Sequence, residues 1–195
     1  MDINELISRR VRTLREERGF SLATLAELSG VGRSTISLIE RSESSATATV
    51  LDKLATALGV PLAALFEGGG EGDTPPSPLS RAAEQAVWTD PVSGYQRRHL
   101  SPAAPSPIQL VEVVFPAGQR VAFDTSNRDA DIQQQVWMID GQMDITVGDA
   151  RWQLATGDCL AMRVDRPVSF HNPGTRDARY LVALVALVTS NRRNP

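Results

Sequence analysis

Ser21-Leu-Ala-Thr-Leu-Ala-Glu-Leu-Ser-Gly-Val-Gly-Arg-Ser-Thr-Ile-Ser-Leu-Ile-Glu-Arg41 decides the fold of the first half of the chain. Ser21 suits the N-cap of a short helix carrying Leu22, Leu25, Ala26 and Leu28, because its hydroxyl can accept from a free backbone amide of the first turn. That helix runs into Ser29-Gly30, and Gly30 can take the left-handed conformation of a tight turn. The next helix, over 32–40, carries Ile36 and Ile39 at the spacing of a buried edge and leaves Arg33, Ser34, Ser37 and Arg41 outside. Upstream, Ile3, Leu6, Ile7, Val11 and Leu14 form the stripe of a helix that stops at Gly19. Downstream, Thr49 and Asp52 resemble a capping box for a fourth helix, with Val50, Leu51, Leu54, Ala55 and Leu58 inward and Gly59 as its stop. Pro61 suits the first turn of a fifth.

The whole chain has 195 residues, of which 42% are hydrophobic and 22% charged, so it is expected to pack a core. No apolar stretch approaches the roughly 20 residues of a bilayer span. The longest, Leu181 to Val188, is stopped by Arg179 and Thr189 and reads as a buried strand. The start, with Asp2 and Glu5, lacks the basic and then apolar regions of a secretory signal, which points to the cytoplasm. Cys159, the single cysteine, cannot form an intramolecular disulfide, and reads as a small apolar residue, with a thiol sensor as the alternative. Net charge is −3, and residues 1–67 hold eight basic against nine acidic side chains. Affinity for a polyanion therefore has to come from a few placed arginines and from pairing of chains.

Residues 68–78 read Gly-Gly-Gly-Glu-Gly-Asp-Thr-Pro-Pro-Ser-Pro, a composition that buries nothing, and 68–86 is expected to be a linker. Before it the apolar spacing is helical, and after it short alternating runs are separated by Gly, Pro, Asn and Asp. The expected organisation is an all-α five-helix unit over 1–67, the linker, an all-β barrel over 87–188, and a tail over 189–195. In the barrel, 136–139, Asp140-Gly141 and 143–147 read as a hairpin, and Gly148-Asp149 marks another turn before Trp152 and Leu154.

Five short helices with a glycine turn between the second and third are the arrangement of a helix-turn-helix unit. The quoted stretch, with Leu51-Asp-Lys-Leu-Ala-Thr-Ala-Leu-Gly-Val60, resembles the XRE family of lambda-repressor-like regulators over about 4–66. The resemblance implies that 32–40 enters the major groove, where Arg33, Ser34 and Leu38 match base-contacting positions, Arg33 is the main reader of guanine, and Thr35 and Ser37 belong to the DNA-binding set. It also implies that Arg41 and Ser42 touch the DNA backbone, and that Arg15 pairs with Glu40 to tie the first helix to the recognition helix. Ser45-Ala46 departs from the family, in which proline is usual.

In the second half, Gly118, Asp124, Ser126, Gln134, Gly141, Gly157-Asp158 and Asn172 resemble the cupin fold, a double-stranded β-helix or jelly roll, over about 87–188. Metal-dependent cupins place histidines and a glutamate where this chain has Asp124, Ser126, Gln134 and Val168, so neither a metal nor a cofactor is expected. His99 and His171 fall elsewhere. If Gln134 points inward, Val136 and Met138 follow it by strand alternation, as Phe170 follows Val168. The inferred effector pocket is thus Asp124, Ser126, Gln134, Val136, Met138, Val168 and Phe170, apolar with three polar groups. Asp124 favours an amine or hydroxyl ligand over a carboxylate. Val136 with Met138 and Trp137 with Ile139 are both apolar sets, so the barrel covers one face of this strand and a partner the other.

Together these features predict a non-enzymatic transcriptional repressor that binds double-stranded DNA at a palindromic operator as a homodimer and answers to a small-molecule effector. A cupin isomerase or lyase with a DNA-binding appendage, and a constitutive regulator whose barrel only dimerises, are the alternatives.

Overall fold

The computed structural model describes residues 2–66, 75–124 and 131–187. Four α-helices come first: α1 Ile3–Glu17, α2 Leu22–Ser29, α3 Arg33–Glu40 and α4 Ala48–Ala57. Ser21 caps α2 by accepting from Thr24 N at 3.0 Å, and Gly30 ends it with φ +65°. That left-handed residue ends α2 and lets the chain turn before α3 starts at Arg33. The cap of α4 is Thr47, which accepts from Val50 N at 3.3 Å, so the capping box expected at Thr49 and Asp52 falls two residues late. Both serine/threonine spacings were compatible with a cap, and burial of Asp52 inside the helix decided between them. The expected fifth helix is a single 3-10 turn, Leu62–Phe66. Leu25, Ile36, Leu51, Leu54, Leu58 and Leu65 are fully buried at the centre of the bundle, while Leu28 projects into solvent.

Ten strands follow: β1 Val87–Thr89, β2 Gln96–His99, β3 Ile108–Phe115, β4 Arg120–Phe123, β5 Asp131–Asp140, β6 Gln142–Val147, β7 Ala150–Ala155, β8 Cys159–Arg163, β9 Val168–His171 and β10 Ala178–Leu187. One sheet runs β1-β2-β3-β10-β5-β8 and the other β4-β9-β6-β7. The last eight strands alternate between two four-stranded layers, which is the double Greek key of a jelly roll, and β1 and β2 extend one layer at its edge. Inward residues follow strand alternation. Val111, Val113 and Phe115 of β3 meet Val136 and Met138 of β5 and Tyr180, Val182 and Leu184 of β10.

The expected hairpin at Asp140-Gly141 is not one. β5 pairs with β8 and β10, whereas β6 pairs with β7 and β9 in the other layer. Gly141, at φ +82°, turns the chain from one sheet to the other, and a Cβ there would lie 3.0 Å from Ala178 Cα. An Asp-Gly pair supplies the positive φ that a two-residue hairpin and a corner both need, so local sequence cannot separate them. Gly148-Asp149 does join paired strands, β6 and β7.

The two halves share one continuous core. Phe66 meets Trp88 edge-on at 5.5 Å, Trp88 meets Tyr95 at 5.8 Å, and Tyr95 stacks on Phe115 at 5.4 Å. Asp90, 3% exposed in the turn between β1 and β2, accepts from Ala48 N of α4 at 2.7 Å through Oδ1. Its Oδ2 accepts from Ser93 N at 2.7 Å and Ser93 Oγ at 2.6 Å. A carboxylate at the first turn of a helix also meets the positive end of its dipole. Replacing Asp90 by alanine leaves buried donors unpaired, so a loss of about 1–3 kcal/mol is expected. Urea unfolding measures that loss. In a Trp137→Phe, Trp152→Phe background the emission of Trp88 reports undocking of the halves, expected as a red shift at denaturant concentrations where the unsubstituted protein is still closed.

Candidate DNA-reading face and the cavity behind it

α3 presents Arg33, Ser34 and Leu38 to solvent on one side and buries Ile36 and Ile39 on the other. Thr35 and Ser37 are half-buried at its flanks. Arg33 makes no hydrogen bond or ion pair among the described residues, which leaves its planar fork available to bond two acceptors at once. Gly32 precedes the helix without a side-chain cap, so the first amides of α3 stay open. Arg41 is held differently: it donates to Glu43 at 2.9 and 2.8 Å and to Ser37 Oγ at 2.6 Å. Glu43 raises the Arg41 pKa by hydrogen bonding and charge, and the arginine in turn lowers that of Glu43. Ser42, beside it, has φ +58°, which turns the chain sharply out of α3.

The frame behind α3 is ionic. Arg15 of α1 grips Glu40 with Nε to Oε1 at 2.7 Å and Nη2 to Oε2 at 2.8 Å, and its Nη1 donates to Phe20 O at 3.0 Å. Ser8 Oγ donates to Glu40 O at 2.7 Å. Hydrogen bonding to Glu40 raises the Arg15 pKa. A bidentate pair fixes orientation as well as distance, and this one sets the pitch of α3 against α1.

In the barrel the sequence-predicted pocket residues separate. Gln134, Val168 and Phe170 line a cavity of about 70 Å³ at the barrel mouth, together with Ile132, Val182 and Leu184. Val136 and Met138 point inward but lie deeper, 0% and 1% exposed within the packed core. Asp124 is exposed just past β4 and does not border the cavity, so the argument for an amine ligand loses its anchor. Ser126 lies outside the described residues. His171 is on the outer side of the second sheet, with Nδ1 3.4 Å from Asp144 Oδ2. Asp144 also accepts from Arg151 Nη2 at 2.6 Å. Burial works to raise the Asp144 pKa, but the hydrogen bonds and charges of Arg151 and His171 outweigh it and leave it lowered. His99, in β2, has its pKa lowered by burial and then by Arg97. Cys159 is exposed rather than buried, with Sγ 3.9 Å from Gln135 Oε1.

The roof of the cavity comes from the helical half: Asp52 of α4 and Pro61, Leu62 and Ala63 at the 3-10 turn. Arg97 of β2 closes one side, its guanidinium carbon 5.6 Å from the centre of the Phe66 ring. Sequence reading missed these residues because they lie outside the two cupin-like stretches, and nothing in Gln96-Arg-Arg-His99 marks which arginine turns inward.

The helix-turn-helix family (HTH_3) matches over residues 11–65. The HTH-type transcriptional regulator SutR of Escherichia coli K12 is 27% identical over 180 residues, covering 92% of this chain and 94% of that protein. The control protein C.SmaI of Serratia marcescens is 37% identical over 70 residues, 36% of this chain and 83% of the relative. A crystal structure of an HTH_3 family transcriptional regulator from Vibrio cholerae superposes with a TM-score of 0.72 at 20% identity, covering 94% of this chain and 96% of that one. With the glycine turn at Gly30, the open face of α3 and the jelly roll behind it, the chain belongs to the XRE family of helix-turn-helix transcriptional regulators and carries a cupin-type β-domain.

Proposed function

We propose that the protein is a ligand-responsive repressor that reads a palindromic operator as a homodimer, with the barrel cavity as the site of a small-molecule effector and no catalysis of its own. The observation that carries this reading is the roof of the cavity. Asp52 and Pro61–Ala63 belong to the DNA-reading half, so an occupant of the cavity touches the body that carries α3. An effector that fits one arrangement of the halves better than another shifts their populations, and operator affinity moves with it. His171 and Asp124, one on an outer sheet face and the other exposed beyond the cavity wall, do not form an acid-base pair in the barrel, which favours sensing over an isomerase or lyase. No helix among the described residues is long and apolar enough to cross a membrane, and the reading places the protein in the cytoplasm with its DNA.

The outer face of the six-stranded sheet supports a dimer. Ile108, 54% exposed, lines a groove of about 510 Å³ with Ala161, Ala183 and Val185, and Trp137, 49% exposed, projects from the same face of β5. One helix-turn-helix contacts few base pairs, and two copies reading half-sites about 34 Å apart supply the specificity a genome demands. A second copy of the same sheet face would cover both patches at once.

Arg33→Ala is expected to weaken operator binding by roughly 1–3 kcal/mol and to relax preference at one position in each half-site. Arg41→Ala should weaken operator and random DNA alike. Titrations of both variants on both DNAs are the check, and equal losses on the two DNAs for Arg33→Ala would remove α3 from base reading. Trp137→Glu should turn a sedimenting dimer into a monomer with an unchanged circular dichroism spectrum; a parent that already sediments as a monomer, alone and on DNA, overturns the dimer. For the effector, the dialysable small molecules of a cell extract are expected to change operator affinity, and an extract without effect overturns the ligand-responsive reading.

A further inference from the structure

The cavity at the barrel mouth contains one arginine and one aspartate on otherwise apolar walls. Arg97 is half-buried, lies over the Phe66 ring, and has no carboxylate partner among the described residues. A guanidinium partly removed from water and gripped by no carboxylate is a natural receptor for one, which its fork can bind through two parallel hydrogen bonds. Asp52, 3% exposed in the roof, has an interaction of its own, but a carboxylate offers about four lone-pair sites and can accept further donors. Gln134 of β5, in the same sheet as Arg97, adds an amide to the lining. Val168, Phe170 and Leu184 leave room for a short apolar group. About 70 Å³ admits a molecule of only a few heavy atoms while the two halves stay docked.

We propose that this cavity binds a small carboxylic acid bearing a hydrogen-bond donor on the next carbon, a short 2-hydroxy or 2-amino acid, with its carboxylate on Arg97, its hydroxyl or ammonium toward Asp52 of the DNA-reading half, and its side chain on the apolar wall. The assignment rests on the reading of the cavity as an effector site and names the chemistry of that effector. It differs from the amine preference argued from Asp124, because the cation that faces the cavity is Arg97 and the acid that faces it is Asp52. It also gives the two polar ends of the ligand to different halves of the molecule. A compound holding both ends steadies the docked arrangement, and one that supplies a single end does not.

Lactate and alanine are the probes, with lactamide as the neutral analogue of the first, titrated by calorimetry into the full-length protein. Millimolar or tighter binding is expected for lactate or alanine and none for lactamide. Arg97→Gln should weaken that binding about tenfold to a hundredfold, the loss for a charged hydrogen-bonded pair, and Arg97→Lys, which keeps the charge without the fork, should recover part of it. Thermal unfolding without ligand shows whether each variant still docks Phe66 against Trp88, so that a misfolded variant is not mistaken for a loss of binding. Equal binding of lactamide, undiminished binding in a folded Arg97→Gln variant, or failure of both lactate and alanine to bind each overturns the assignment. If they fail while the dialysable extract still shifts operator affinity, only the ligand chemistry falls; if the extract is also silent, the effector site itself falls.

Discussion

The carboxylate of Asp90 fastens the two halves of this protein together by buried hydrogen bonds. It receives a backbone amide from the first turn of α4 and two donors from Ser93, and it does so almost entirely out of water. Charges are costly to bury unless hydrogen bonds replace the lost water, and here the replacements come from both sides of the junction. Everything that follows in the structure depends on that closure. The aromatic run from Phe66 to Phe115 can pack only if α4 is held against the turn between β1 and β2, and the barrel mouth acquires a roof only if the 3-10 turn follows α4 down onto it.

Electrostatics are arranged locally rather than globally. The net charge of −3 would repel DNA on average, so attraction has to come from where charges are placed. Arg15 is spent internally, holding Glu40, and Arg41 is shared with Glu43, whereas Arg33 stands clear at the start of α3. An arginine that is already paired must leave its carboxylate before it can grip a phosphate, which weakens its attraction for random sequence.

The helical half was largely legible in the sequence because its signals are local. Ser21, Gly30 and the spacing of Ile36 and Ile39 act over one or two turns of helix, and each lies where the pattern puts it. The cap of α4 was misplaced by two residues because Thr47 and Thr49 offer the same hydroxyl and only the tertiary burial of Asp52 separates them. In the β-half, strand positions were legible from turns and alternation, but pairing was not. Whether the chain folds back at Gly141 or crosses to another sheet is decided by strands tens of residues away. The cavity was half legible for the same reason. Gln134 and Val168 follow from the cupin-like motif positions and Phe170 from strand phase, while Asp52 and Pro61 reach the cavity only through docking of the helical unit and Arg97 lies on an edge strand outside the motifs. The Gly- and Pro-rich composition of 68–78 gives no hint of that docking, because the contacts are made by residues outside it.

β10 carries a consequence for the order of events during synthesis. It lies between β3 and β5, pairing with both along most of its length, although it is the last strand of the sheet to emerge. The helical unit can fold as soon as its local contacts are available, but the six-stranded sheet is split in two until residues 178–187 arrive. During that interval β3 and β5 each have an open edge, and Val111, Val113, Val136 and Met138 lack the neighbouring Val182 and Tyr180 that complete their packing. Non-local closure of this kind makes a nascent chain vulnerable to strand exchange with its neighbours. A chain interrupted before β10 therefore leaves β3 and β5 without their common neighbour and the cavity without Val182 and Leu184.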